Sequence, residues 1–166
     1  MKRYRSAASL ALAVLTVTAV VGLAGPAAAG EQVPFRGTLA GMRASFIPLD
    51  PPFFAAEVDT TGEATHLGQC ELVLTATVSV NDPVRTAIGT FQFVAANGDT
   101  LTGTFTGIST PTTTPGVNQI VETSIITGGT GRFAGATGGF TTTRLIDFAT
   151  LLTIGSFEGT ISTTGQ

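Results

Sequence analysis

The chain has 166 residues, of which 11% are charged, with a formal net charge of −3, one cysteine and no tryptophan. So few charges, with no basic cluster, exclude a nucleic-acid partner or an anionic membrane surface on electrostatic grounds. One cysteine excludes an internal disulfide framework, and abundant Thr, Gly, Ala, Val, Ile and Phe favour strands and turns over helices.

Met1-Lys2-Arg3-Tyr4-Arg5 is a basic leader, Ala7 to Ala24 is apolar, and Ala27-Ala28-Ala29 offers small residues for cleavage. This is the layout of a secretory signal peptide over residues 1–29, with the cut expected after Ala29. A permanent membrane anchor is the alternative. It is disfavoured because Gly22, Gly25 and Pro26 lead straight into the small-residue site. Residues 30–166 are then a single secreted domain, free of the membrane once cleaved and long enough to bury one core. Within it, 5 arginines face 11 acids, a net charge of −6. Cys70 is expected to be a buried apolar thiol, with pairing between chains as the alternative.

Strands are expected at Val33 to Ala40, Phe53 to Thr60, Ala64 to Leu67 and Glu71 to Val80. In the last of these, Leu72, Leu74, Ala76, Val78 and Val80 share one face. Asn81-Asp82-Pro83 ends it as a turn. Residues 86 to 107 predict a hairpin, because Asn97-Gly98 is a strong turn signal between two alternating runs. One run places Phe91 and Phe93 on one face, and the other places Leu101, Gly103, Phe105 and Gly107 on one face. Val117 to Thr127, Gly139 to Asp147 and Leu151 to Thr163 complete the set. The proline-bearing stretches Pro48 to Pro52 and Ser109 to Gly116 are expected as loops. Helical periodicity appears nowhere over a useful length. About eight short strands predict an all-β fold, either a closed antiparallel barrel or a β-sandwich. Glycines on the same face as phenylalanines suit the coiled strands of a barrel.

The segment Gly128-Gly129-Thr130-Gly131-Arg132-Phe133-Ala134-Gly135 superficially matches a dinucleotide-binding loop. Such a loop must open a helix within a βαβ unit. Here Ala136-Thr137-Gly138-Gly139-Phe140 and three threonines follow, which oppose a helix. No nucleotide is therefore expected. Gly128, Gly129, Gly131 and Gly135 read instead as a tight corner between strands, with Phe133 and Phe140 anchoring its two sides in the core.

This glycine segment resembles the Gly-Gly-Thr-Gly-x-Phe stretch of the allene oxide cyclase and dirigent barrel superfamily. The Asn97-Gly98-Asp99 hairpin and Gly62-Glu63-Ala64-Thr65-His66-Leu67-Gly68 are similar to uncharacterised secreted bacterial proteins with this barrel. The resemblance implies an eight-stranded barrel, often oligomeric, whose central cavity in some members holds a lipophilic substrate. It carries over no catalytic residue, since Ala136-Thr137-Gly138 stands where dirigent proteins continue differently.

His66 is the only histidine, so neither a His-based metal site nor a Ser-His-acid triad is expected. A turn histidine with a local hydrogen bond is the plainer role. Glu122 shares a strand face with Ile120 and Ile126, and Arg144 shares one with Phe140 and Ile146. If those faces are interior, the two charges should pair or meet a polar ligand. The opposite parity, with both solvated, is the commoner situation for charged side chains. Glu158 is expected to be exposed. Glu122 and Arg144, with Phe91 and Phe105, are the candidate ligand-binding residues of a barrel interior. Three roles follow in order: binding of a small apolar ligand in the barrel, interaction through a Thr-rich surface or by oligomerising, and last an isomerase or coupling-control activity of the superfamily type. No cofactor is expected.

Overall fold

The computed structural model describes residues 30–81 and 83–163. The expected signal peptide at residues 1–29 and Asp82 of the expected turn lie outside them. The described chain is a closed barrel of eight antiparallel strands in sequence order, so every strand pairs with its neighbours and β8 returns to β1. Closure removes free sheet edges. The strands are β1 Val33–Pro48, β2 Phe53–Ala64, β3 Gly68–Asn81, β4 Val84–Ala95, β5 Thr100–Pro111, β6 Val117–Gly129, β7 Thr137–Asp147 and β8 Leu152–Ser162.

Alternation decides which side chains go inside. Leu72 and Leu74 of β3, Phe91 and Phe93 of β4, and Leu101 and Phe105 of β5 are all buried, while the threonines between them in β5 face outward. Five inward phenylalanines lie directly opposite glycines on the neighbouring strand: Phe91 opposite Gly103, Phe105 opposite Gly89, Phe157 opposite Gly37, and both Phe35 and Phe140 opposite Gly159. Two rings at one rung would crowd a small barrel, so at these rungs the ring lies over the bare backbone of its partner. A Cβ on Gly103 would stand 2.6 Å from the Phe91 ring. The rings also pack on one another, with Phe35 to Phe157 at 5.0 Å and Phe91 to Phe140 at 5.1 Å between centroids. Each buried phenylalanine stabilises the fold by roughly 1.5–3 kcal/mol relative to exposure.

The glycine-rich corner closes one end. Gly128 and Gly129 end β6, and Gly131–Phe133 form a single 3-10 turn. Gly131 (φ 57°) and Gly135 (φ 72°) take left-handed backbone, where a Cβ is costly. The corner drives Phe133 into the barrel end, where it is 1% exposed and joins Leu101 and Ile161 in the core cluster. Asp99 from the β4–β5 turn ties it down, meeting Arg132 Nε at 3.6 Å, while Thr130 Oγ1 accepts from the Thr100 N–H at 2.9 Å.

Several boundaries differ from the sequence expectation; β3 starts at Gly68 rather than Glu71, and β7 at Thr137 rather than Gly139. β1 continues through Gly41 to Pro48 rather than ending at Ala40, because residues 41–42 still pair with both β2 and β8. Residues 65–67 are a turn and not a strand: Ala64 pairs with Gly68, and His66 has φ 67°. β5 extends to Pro111, the residue opposite Asn118. Cys70 is buried and free, its Sγ 3.7 Å from the Gly62 carbonyl.

Candidate functional site

The two ends of the barrel are built differently. The end with Phe133 is filled. At the opposite end emerge the turns β1–β2, β3–β4, β5–β6 and β7–β8, and the inward residues there are small: Ala56, Ala76, Ala87 and Gly107 on four successive strands. Their short side chains leave a cavity of about 70 Å³ with largely apolar walls that include Val58, Leu74, Phe105, Ile120 and Ile146.

Glu122 and Arg144 point into this end and are 3% and 6% exposed. The surface parity, commoner for charged residues, is thus not the one adopted. β6 and β7 pair so that Ile120 lies opposite Arg144, and Glu122 is two residues further along the same inward face. The contact is bidentate: Arg144 Nη2 donates to Glu122 Oε1 at 2.7 Å and Nε donates to Oε2 at 3.1 Å. Nη1 donates to Thr153 Oγ1 at 3.1 Å, and that hydroxyl donates to the Leu145 carbonyl at 2.7 Å. Burial of the pair is tolerable because each charge meets its counter-charge in fork geometry and the third donor has an acceptor. Gly107 lies directly opposite Glu122. A Cβ there would come 3.0 Å from Glu122 Cγ, so glycine leaves room for the pair.

Two further arginines rim the cavity. Arg43 and Arg85 both line it, and both lie over Phe148 of the β7–β8 turn, with guanidinium carbons 5.6 and 4.6 Å from the ring centroid. Arg43 also lies 4.6 Å over Phe46. A β-bulge between Arg43 and Ser45 explains how Arg43 and Phe46 reach the same side. Strict alternation would send residues three apart to opposite faces, and the extra residue resets the parity. Burial, and then the charge of Arg85, push the Arg43 guanidinium below its ordinary pKa.

Of the four ligand-binding candidates from the sequence, Glu122, Arg144 and Phe105 line the cavity, while Phe91 belongs to the packed phenylalanine cluster beneath it. The four corner glycines lie at the other end. His66 sits there too, its Nε2 3.0 Å from the Pro34 carbonyl, a turn histidine with a local hydrogen bond. Arg43, Arg85, Phe46 and Phe148 were not among the candidates. A signal existed for Arg85, since extending the parity of Phe91 and Phe93 back through Gly89 and Ala87 reaches it. None existed for Phe46, which depends on the bulge.

Fold and site together define a closed eight-stranded antiparallel barrel with one plugged end and one cavity-bearing, arginine-rimmed end. Comparison with known proteins finds no matching family model, no matching curated protein and no matching solved structure.

Proposed function

We propose that this chain is a secreted barrel that binds a small, largely apolar ligand at its open end. The observation that carries the proposal is the ring of Ala56, Ala76, Ala87 and Gly107, which keeps apolar space open above a packed phenylalanine core. Binding sites are typically apolar hollows with a few converging polar groups, and Glu122 and Arg144 are such groups. The cavity is small beside the ~300–1,000 Å³ of drug-sized sites, which favours a ligand of one ring or a short chain, with part of it in the mouth. The leader, apolar stretch and Ala27-Ala28-Ala29 support secretion, and the eight-stranded closure agrees with the likeness to the allene oxide cyclase and dirigent barrels. Among the described residues, Glu122 is the one carboxylate on the cavity wall, and Arg144 engages both its oxygens, which favours binding over an isomerase role.

Titration with benzyl alcohol, followed by backbone amide shifts, tests the proposal. Saturable shifts at Ala76, Ala87, Gly107 and Ile120, lost in Ala87→Leu, are expected. Shifts spread over the outer face, or unaltered by Ala87→Leu, would overturn it.

A second role, self-association, is favoured by the outer surface. Ile88, Ile108, Val121, Ile125, Leu145 and Ile154 are exposed on β4–β8, and the outward residues between them are mostly threonines. The acids Glu57, Asp59, Glu63 and Glu71 lie on β2 and β3 instead, and Glu158 of β8 lies opposite Arg36 of β1. A second copy would bury the neutral face and keep the mutually repelling acidic faces in water. Sedimentation of the wild type against Ile125→Lys measures this, and a monomer in both rejects it.

A further inference from the structure

We propose that Arg43 and Arg85 form an anion clamp at the cavity mouth, and that the ligand is a small carboxylate carrying a short apolar or aromatic group. This rests on the binding role proposed above and specifies its chemistry.

The charge balance at this end is uneven. Glu122 and Arg144 neutralise one another at the cavity wall. Among the described residues, the ion pairs are Arg132 with Asp99 and Arg144 with Glu122, so the guanidiniums of Arg43 and Arg85 have no carboxylate partner. Asp147, the acid closest in sequence to Phe148, uses Oδ1 to accept from the Ala149 and Thr150 amides. Two positive charges are therefore left together in a chain whose residues from 30 onward carry a net −6. The Arg85 Nε–H is buried with no hydrogen-bond partner. Buried donors are almost always satisfied, and an orphan marks a place where a partner is missing.

Arginine suits the task. Its planar fork matches a carboxylate while its face stacks on aromatic rings. Phe148 lies under both guanidiniums and Phe46 under Arg43, so the rings hold the forks at the rim. Burial, and secondarily the charge of Arg85, depresses Arg43, and an anion between the two guanidiniums offsets that repulsion. Below the clamp the walls are apolar, and with a cavity of about 70 Å³ the body of the ligand must be short.

The test uses benzoate and benzamide, which match in shape and differ in charge, titrated by calorimetry into wild type, Arg43→Gln and Arg85→Gln. Benzoate should bind the wild type ~10-fold or more tighter than benzamide, the scale of a charge-assisted fork. Each variant should bring benzoate down to the benzamide level and leave benzamide unchanged. Melting temperatures check the fold. Neither substitution removes a hydrogen bond or ion pair, so both variants should melt within a few degrees of wild type, and Arg85→Lys should keep part of the preference. Equal binding of the two probes by the wild type would overturn the clamp and leave the cavity role standing. Binding of neither at millimolar concentration would overturn both.

Discussion

Replacing Arg144 with methionine keeps an unbranched stem and most of the volume of the side chain but strips Glu122 of the donors at 2.7 and 3.1 Å and Thr153 of the one at 3.1 Å. Each hydrogen bond to a charged group contributes about 1.5–3 kcal/mol, and removing one partner of a buried pair costs about 3–5 kcal/mol. Water in the adjacent cavity can reach the stranded carboxylate, so the lower part of that range applies, about 3 kcal/mol. At 2–5 °C per kcal/mol for a barrel of this size, the melting temperature should fall by roughly 6–15 °C. Glu122→Met should behave alike, by stranding the guanidinium. The Glu122→Met/Arg144→Met double variant removes both charges at nearly constant volume and should return to within about 1 kcal/mol of wild type. Urea unfolding followed by far-ultraviolet circular dichroism, with a shared denaturant slope, yields the coupling energy from the cycle. If either single variant costs under about 0.5 kcal/mol, or the two costs simply add, the pair is not the buried, mutually dependent unit described above.

Other substitutions probe the rest of the barrel. Phe133→Ala should empty the plugged end and cost about 3–5 kcal/mol; a cost below 1 kcal/mol in the same unfolding assay would mean that Phe133 does not close it. Gly103→Ala forces a methyl against the Phe91 ring and the Ile125 carbonyl, and overpacking of this kind costs about 1–3 kcal/mol. Restoration by a compensating Phe91→Leu would confirm the ring as the obstacle, and an unchanged loss would point to the carbonyl. Burial pushes the Cys70 thiol up, so native protein should react with a thiol reagent only as it unfolds. Because the unfolded chain gives up this proton first, stability is complete below the ordinary thiol range and declines as pH rises through and beyond it. Lys2 and Tyr4 are the only lysine and tyrosine, so in protein beginning at residue 30 the α-amino group is the other group that titrates near this range, and the part of the decline due to Cys70 should vanish in Cys70→Ala.

Much of the barrel was legible in the sequence because its signals are local. Period-two alternation placed Leu72, Leu74, Phe91, Phe93, Leu101 and Phe105 on inward faces, and Asn97-Gly98 placed a hairpin turn. The corner glycines excluded a crossover helix and marked the strand reversal that they make. Where the chain departs from expectation, a partner strand decides. The expected first strand stops at Ala40, yet Gly41 sits in a ladder between β2 and β8, where there is no room for a side chain. Ala64 to Leu67 reads as extended, yet the register of β2 with β3 makes it the reversal.

The sequence by itself determined that the chain is all-β, which faces of its strands are apolar, and that Glu122 shares a face with Ile120 and Ile126 and Arg144 one with Phe140 and Ile146. Those properties follow from side-chain period and turn chemistry, which act within a few residues. Tertiary structure alone decided that the two charges face inward and meet, since β6 and β7 must pair with a register that brings side chains 22 residues apart within 2.7 Å. It alone also gathered Arg43, Arg85 and Phe148 at one rim. Their strands and turn are far apart in the chain, a bulge sets the parity of β1, and only closure of the barrel carries them to the same mouth.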